Sequence, residues 1–342
     1  MSRPQDPALG PQVPETPLES EPQVVIGLGA SAGGLAALTR IIERLPQDLP
    51  AALVVVLHLA ATSYSVLAEI LGRAGDLHVV APEEPVAIVA GEVYVARPNR
   101  HLLVEPGIVR PTSGPRENGH RPAVDPMLRS LADAYGPRAV GVVLSGTRDD
   151  GTAGLGRIKA RGGVALVQDP GEALYDGMPR SAIQDVVVDE VLPTAQLAER
   201  LIVIAREGGH ALTSDARPQA SGGAEMATRL TCPDCGGVLI EHEEQGIDRY
   251  RCSVGHAFSP ESLQVEHARM VERTLWAAAR IVDDRAALMR DMARRAERRG
   301  QDGTRRRYLE RAVEMQEHAS VLRALVERAS GDADDAVEEL AE

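Results

Sequence analysis

Aromatic side chains are scarce in this 342-residue chain, which holds one Trp, one Phe and six Tyr. With so few rings for bases to stack on, and a formal net charge of −13, the composition argues against a nucleic-acid binder, which needs basic surfaces and stacking platforms. Long apolar runs are missing as well. None approaches the ~20 residues of a spanning helix, and residues 1–22 lack the basic and apolar blocks of a signal peptide. Direct membrane insertion is therefore not expected, and a cytoplasmic location is. Cysteine is limited to three residues, so no disulfide framework is expected and the thiols should be reduced or metal-bound.

Against these absences stands one informative stretch, Val24-Val25-Ile26-Gly27-Leu28-Gly29-Ala30-Ser31-Ala32-Gly33-Gly34. An apolar run bounded by glycine reads as a buried parallel strand, and Leu35 to Ile42 carries helical spacing directly after it. Ser31 falls at the strand-to-helix turn, over the edge where open α/β sheets bind ligands and beside the free amides of a helix start. Three readings fit. Gly27, Gly29 and Ala32 satisfy a dinucleotide fingerprint, but the next strand, Ala52–Leu57, leads into His58 rather than the acidic residue such a site needs. Gly29-Ala30-Ser31-Ala32-Gly33 also fits G-x-S-x-G, although the α/β-hydrolase order is serine, acid, histidine. Ser31 as a simple helix cap is the third.

Taken in order, the chain begins with a Pro-rich segment over residues 1–22 that has too little to bury and is expected to be disordered. Strand one and its helix lead to strand two, which should lie beside strand one in parallel. A helix is expected over 64–71, short strands between Val79 and Ala96, and a hairpin about Glu105-Pro106-Gly107. The polar loop Gly114–Pro122 is long enough to suggest function. After a helix around Pro126–Tyr135, the buried strand Ala139–Leu144 runs into Ser145-Gly146-Thr147-Arg148-Asp149-Asp150-Gly151, repeating the strand, glycine and helix grammar of the opening turn. A further strand, Val164–Val167, and a helix from Gly177 complete the βα units. The pattern predicts an α/β domain over 23–205, doubly wound, with a mostly parallel sheet and helices on both faces.

Ser31, His58 and Asp150 each close a strand at the same predicted sheet edge, so a nucleophile, base and orienting acid are geometrically plausible. The bland reading, in which His58 ends a strand and either aspartate caps a helix, fits the pattern too. Residues 23–205 resemble the catalytic domain of the chemotaxis protein-glutamate methylesterases, the CheB family. The resemblance rests on Ile26–Gly34, the histidine after strand two, Gly119-His120-Arg121-Pro122-Ala123-Val124-Asp125, Leu144-Ser145-Gly146 to Asp150-Gly151, and Gly177-Met178-Pro179-Arg180. It implies Ser31 as nucleophile, His58 as base and Asp150 as acid. Asp150 is preferred over Asp149 because its place before Gly151 matches the family. The implied reaction is cofactor-free hydrolysis of glutamate γ-methyl esters on the cytoplasmic helices of methylated chemoreceptors, with glutamine deamidation as a related activity. The backbone N–H of Ala32 would meet the charge on the carbonyl oxygen. Archetypal members carry an amino-terminal receiver domain, and no receiver-like sequence precedes strand one, so control by a receiver within the chain is not expected. The reading from a different class is a low-turnover signalling scaffold that keeps the fold and binds a partner through its carboxy-terminal extension.

That extension begins after a Gly/Ser-containing linker over 206–229. All three cysteines follow: Cys232-Pro233-Asp234-Cys235, then sixteen residues, then Cys252-Ser253-Val254-Gly255-His256. Cys232, Cys235, Cys252 and His256 have the spacing of a closed, structural zinc site, predicting a zinc-ribbon module over 230–258. Ser259 followed by Pro260 reads as a helix cap and first position. The stripes Val271, Leu275, Ala278, Val282, Met289 and Tyr308, Met315, Leu322, Leu325, Val326 predict a helical hairpin over 259–330. These stripes pack on each other or on a partner helix. An acidic tail over 331–342 ends the chain.

Overall fold

The computed structural model describes residues 22–59, 66–208 and 225–339, with side chains to 328. The Pro-rich segment to residue 21 and most of the expected linker lie outside the described residues. Two compact units result. The first takes the described residues up to Gly114 and those from His120 to 208. The second takes Pro115–Gly119 and the described residues from 225 onward.

In the first unit, β1 (Val24–Ala30) leads to α1 (Gly34–Ile42), β2 (Ala51–Leu57), α2 (Leu67–Ala74), and then β3 (His78–Val80), β4 (Val86–Ala87) and β5 (Glu92–Val95). The hairpin β6 (His101–Glu105) and β7 (Ile108–Thr112) is followed by α3 (Val124–Tyr135), β8 (Ala139–Val143), α4 (Thr152–Ala160), β9 (Val164–Gln168), α5 (Gly177–Asp185), β10 (Glu190–Leu192) and α6 (Thr194–Arg206). Seven strands form one parallel sheet in the order β10-β9-β8-β1-β2-β5-β3, and β4, β7 and β6 form a small antiparallel sheet. The fold is α/β with helices flanking a mostly parallel sheet, as the βα repeats imply.

Central strands β1, β2, β8 and β9 are buried throughout, which is why they read as unbroken Val/Leu/Ala runs. On one face Val24, Ile26 and Leu28 join Leu38, Ile41, Leu197 and Leu201 in the main core. On the other face β1 presents Gly27 and Gly29. A Cβ on Gly27 would stand 2.7–2.9 Å from Leu128, Met127 and Leu131, and one on Gly29 would run into Val124. These glycines therefore let α3 lie close against the sheet. Both are paired in the strand, Gly27 with Val54 and Gly141, Gly29 with Val56 and Val143, so they form no phosphate-binding loop and the dinucleotide reading falls.

The second unit holds the antiparallel sheet β11 (Met226–Thr231), β12 (Val238–Glu244), β13 (Ile247–Cys252) and β14 (Ala257–Phe258), then α7 (Pro260–Arg298) and α8 (Asp302–Glu339). Ser259 caps α7, its Oγ accepting the Ser262 N–H at 3.0 Å, with Pro260 at the first helical position. Pro115–Gly119 is built into this unit. The Arg249 guanidinium, 1% exposed, sits 2.5 Å from Glu117 Oε1. The Asn118 N–H donates to the Ala257 carbonyl at 2.8 Å, and Asn118 Oδ1 accepts the Ser259 N–H at 3.1 Å. The helical hairpin is present, but its seam differs from the expected stripes. Along the seam Ala279, Ala286 and Ala293 on α7, and Ala312, Ala319 and Val326 on α8, are buried at seven-residue spacing, with Ala296 also buried near the turn; Val326 alone of these belongs to the expected stripes. Alanine lets the helices approach closely, which leaves Leu275, Val282 and Met289 half-buried on the flanks and Val271 and Leu325 exposed.

Candidate active site and metal-ligating cluster

Three strand ends converge at the carboxyl edge of the parallel sheet. Ser31 follows β1, and its N–H donates to the Ser145 carbonyl at 2.9 Å after β8. The N–H of His58, just past β2, donates to the Ala30 carbonyl at 3.1 Å. Parallel pairing of β1 with β2 and with β8 thus puts the turns that carry Ser31, His58 and Asp150 side by side. Ser31 Oγ lies 3.0 Å from His58 Nδ1, and Asp150 Oδ2 lies 2.7 Å from His58 Nε2. The ring presents Nδ1 to the hydroxyl, the reverse of the chymotrypsin arrangement.

Asp150 is buried and well partnered. Oδ2 also accepts the Val124 N–H at 2.7 Å, and Oδ1 accepts the Asp125 N–H at 3.1 Å. Both amides belong to the first turn of α3, where free N–H groups and the helix dipole favour an anion. Burial alone pushes the Asp150 carboxyl up, but hydrogen bonding and charge from His58, with the Val124 amide, outweigh it and hold the acid well below the ordinary carboxylate range. Asp125 answers from the other side: its Oδ1 accepts the Gly151 and Gly154 amides at 3.0 and 2.8 Å. Asp149, also buried, contributes differently. With burial as the larger cause, its charge raises the Asp185 carboxyl.

Gly146 fits tightly beside the serine, since a Cβ there would run into the Met178 sulfur and approach Ser31 Cβ to 2.8 Å. The N–H of Ala32 has no acceptor among the described residues, so it stands available near the serine. Two further groups were not singled out from the sequence. His120 stacks on His58 with ring centroids 3.8 Å apart and planes 8° from parallel. Arg148, held at φ +66°, brings Nη2 to 3.3 Å from His120 Nε2. The length and polarity of the loop containing His120, and the place of both residues in segments that carry the family resemblance, were the hints.

Cys232, Cys235, Cys252 and His256 come together in the second unit, their ligand atoms all within 4.8 Å of one another. Two tight turns place them. The Cys232 N–H donates to Gly237 and the Gly236 N–H to Cys232, while the Cys252 N–H donates to His256 and the Gly255 N–H to Cys252. Cys235 and Cys252 sulfurs are 3.6 Å apart, and Cys252 Sγ is 3.5 Å from His256 Nδ1. Ligands about 2.3 Å (S) and 2.0 Å (N) from a tetrahedral centre would be separated by roughly 3.5–3.8 Å, so this donor set could hold a metal ion. Nε2 of His256 faces Asp234 at 4.0 Å, on the side where a ligating imidazole's outer nitrogen finds its orienting partner.

A parallel α/β sheet whose carboxyl edge gathers a serine, a histidine and a buried carboxylate has the construction of an acyl-transfer hydrolase. Comparison with known proteins agrees: the CheB methylesterase family matches residues 26–201, just over half the chain. A Leptospira interrogans protein, provisionally named protein-glutamate methylesterase/protein-glutamine glutaminase, is 39% identical over 178 residues, covering 52% of this chain and 92% of that one. A Xanthomonas campestris protein-glutamate methylesterase/protein-glutamine glutaminase is 38% identical over 187 residues, 54% of this chain and 52% of that one. The Myxococcus xanthus protein-glutamate methylesterase FrzG is 33% identical over 193 residues, 56% and 58%. The crystal structure of the Thermotoga maritima CheB methylesterase catalytic domain superposes with a TM-score of 0.51 at 33% identity, over 53% of this chain and 98% of that one. The chain belongs to the CheB methylesterase family. It spans about half the length of the Xanthomonas and Myxococcus relatives. No helix among the described residues is long and apolar enough to cross a membrane.

Proposed function

We propose that the first unit is a protein-glutamate methylesterase that hydrolyses glutamate γ-methyl esters on the cytoplasmic helices of chemoreceptor-like proteins, with Ser31 as nucleophile. The continuous hydrogen-bond chain Ser31–His58–Asp150 carries this reading. Ser31 Oγ attacks the ester carbonyl as its proton passes to His58 Nδ1. Asp150 accepts from Nε2–H and stabilises the imidazolium. The carbonyl oxygen, now negative, takes a hydrogen bond from the Ala32 N–H. Collapse of the adduct breaks the bond to methoxide, which leaves with the His58 proton as methanol. A water then gives its proton to His58, attacks the acyl-serine and releases glutamate, restoring the hydroxyl. Glutamine deamidation would follow the same path with ammonia as leaving group. No cofactor takes part in these steps.

For the second unit we infer a structural zinc on Cys232, Cys235, Cys252 and His256. Four protein donors would close a tetrahedral site, and the small β11–β14 module has a core of only a few side chains, so metal would supply much of its folding energy. Methanol release from methyl-esterified receptor fragments tests the catalytic reading, with Ser31→Ala as control. Release that Ser31→Ala abolishes without loss of fold supports it. Binding of fragments with no release would favour the scaffold reading instead.

A further inference from the structure

The segment between β9 and α5 carries two large apolar side chains in the open. Leu174 is 75% exposed and Tyr175 47%. Its backbone is tied at several points. The Ala173 N–H donates to Asp169 at 3.1 Å, the Tyr175 N–H to Ser145 Oγ at 3.0 Å, and the Tyr175 carbonyl accepts the Gly146 N–H at 2.9 Å. Glu172 is held by the Thr194 N–H and hydroxyl at 2.7 and 2.9 Å. Ser145 Oγ in turn donates to the Ala32 carbonyl at 2.8 Å. The strand-end turn that positions Ser31 therefore also fixes this lip.

Leu174 lies against the nucleophile turn itself. A Cβ on Gly33 would come 2.8 Å from Leu174 Cβ and 3.2 Å from its Cδ2. Because the Gly34 N–H closes that turn onto the Ser31 carbonyl at 3.0 Å, Gly33 and Ser31 are within a few ångströms of each other. Residues three or four apart on a helix have Cβ atoms about 5–6 Å apart. A helix whose esterified glutamate reaches Ser31 would then bring an apolar neighbour one turn away over Leu174 and Tyr175.

We propose that Leu174 and Tyr175 are specificity-determining residues that bind an apolar side chain of the substrate helix three or four positions from the reacting glutamate. The proposal rests on the methylesterase reading and names how that site chooses among esters. Rigid, exposed aromatic and aliphatic groups are suited to this task, because little ordering cost is incurred when they are covered. Covering a leucine-sized side chain is worth roughly 10- to 100-fold in affinity.

The test uses the full chain and helical Ala/Glu/Lys peptides bearing one glutamate γ-methyl ester, with leucine or alanine both three and four residues away on either side. Methanol release gives KM and kcat for each, and hydrolysis of p-nitrophenyl acetate reports the serine separately. The wild type should show a KM at least tenfold lower for a leucine peptide than for the alanine peptide. In a Leu174→Ser, Tyr175→Ser double variant the ratio of the two KM values should fall to about one. A wild type indifferent to leucine, or a double variant that keeps the preference while folded, overturns the proposal. Hydrolysis of p-nitrophenyl acetate with cleavage of neither peptide overturns the methylesterase reading, and this inference with it.

Discussion

Asp150→Asn is the substitution whose consequence the geometry fixes most tightly. The carboxylate accepts from His58 Nε2, from the Val124 N–H and from the Asp125 N–H. Asparagine has one acceptor oxygen and an NH2 that only donates. If its oxygen faces Asp125, the NH2 meets the Val124 N–H donor; if its oxygen takes the Oδ2 place, the NH2 meets the Asp125 N–H. In the first orientation His58 must accept at Nε2, which puts its proton on Nδ1, the nitrogen that has to take the proton of Ser31. The base is then the wrong tautomer, a defect associated with about 10⁴ in kcat, or about 5.5 kcal/mol of barrier. Losing a charge-assisted hydrogen bond costs a further ~1.5–3 kcal/mol of stability. The assay is kcat for methanol release on folded protein, with thermal unfolding alongside. Asp149→Asn serves as the comparison and should cost far less. An Asp150→Asn enzyme within tenfold of wild type, or an Asp149→Asn enzyme that is the worse of the two, would refute the assignment of the orienting acid.

Other outcomes follow from the same contacts. Gly146→Ala should lower kcat by about 10², because the new methyl group meets Ser31 Cβ and the Met178 sulfur and displaces the nucleophile; an unchanged kcat would show that the turn relaxes freely. Asp150 has its folded pKa depressed, so its contribution to stability is full above the unfolded value of about 3.9 and is lost as pH falls toward the folded value. Wild type should therefore lose stability between pH 5 and 2 more steeply than Asp150→Asn, as acid titration of the unfolding free energy would reveal. Cys235→Ser should lose the metal equivalent and the order of β11–β14, measured by metal analysis and hydrogen exchange; retention of one equivalent would refute the ligand set.

Much of this arrangement was legible in the residues, for stated reasons. Buried parallel strands must be apolar on both faces, so β1, β2, β8 and β9 announced themselves, and functional groups at their carboxyl ends could be expected to converge on one edge. That Cys232, Cys235, Cys252 and His256 would come together was legible because three cysteines and a histidine at such short spacings are rare by chance. Local patterns were silent on contacts made through the fold. Nothing in Glu92–Val95 says that β5 enters the sheet between β2 and β3. Gly27 and Gly29 look like loop glycines until α3 is seen lying on them. His120 reaches His58 from 62 positions away in the chain, and Glu117 finds Arg249 across an even longer span. The hairpin seam was misread because alanine carries little hydrophobic weight in a periodicity argument, although its small size is what lets two helices pack closely.

The central claim, that Ser31 is a nucleophile activated by His58, is tested most directly by covalent labelling with a fluorophosphonate followed by peptide mass spectrometry. The account predicts one adduct per chain, on Ser31, strongly diminished in His58→Gln and slowed in Asp150→Asn. Labelling of a different residue, or an unlabelled Ser31 in folded wild-type protein under conditions that label a known serine hydrolase, would contradict it.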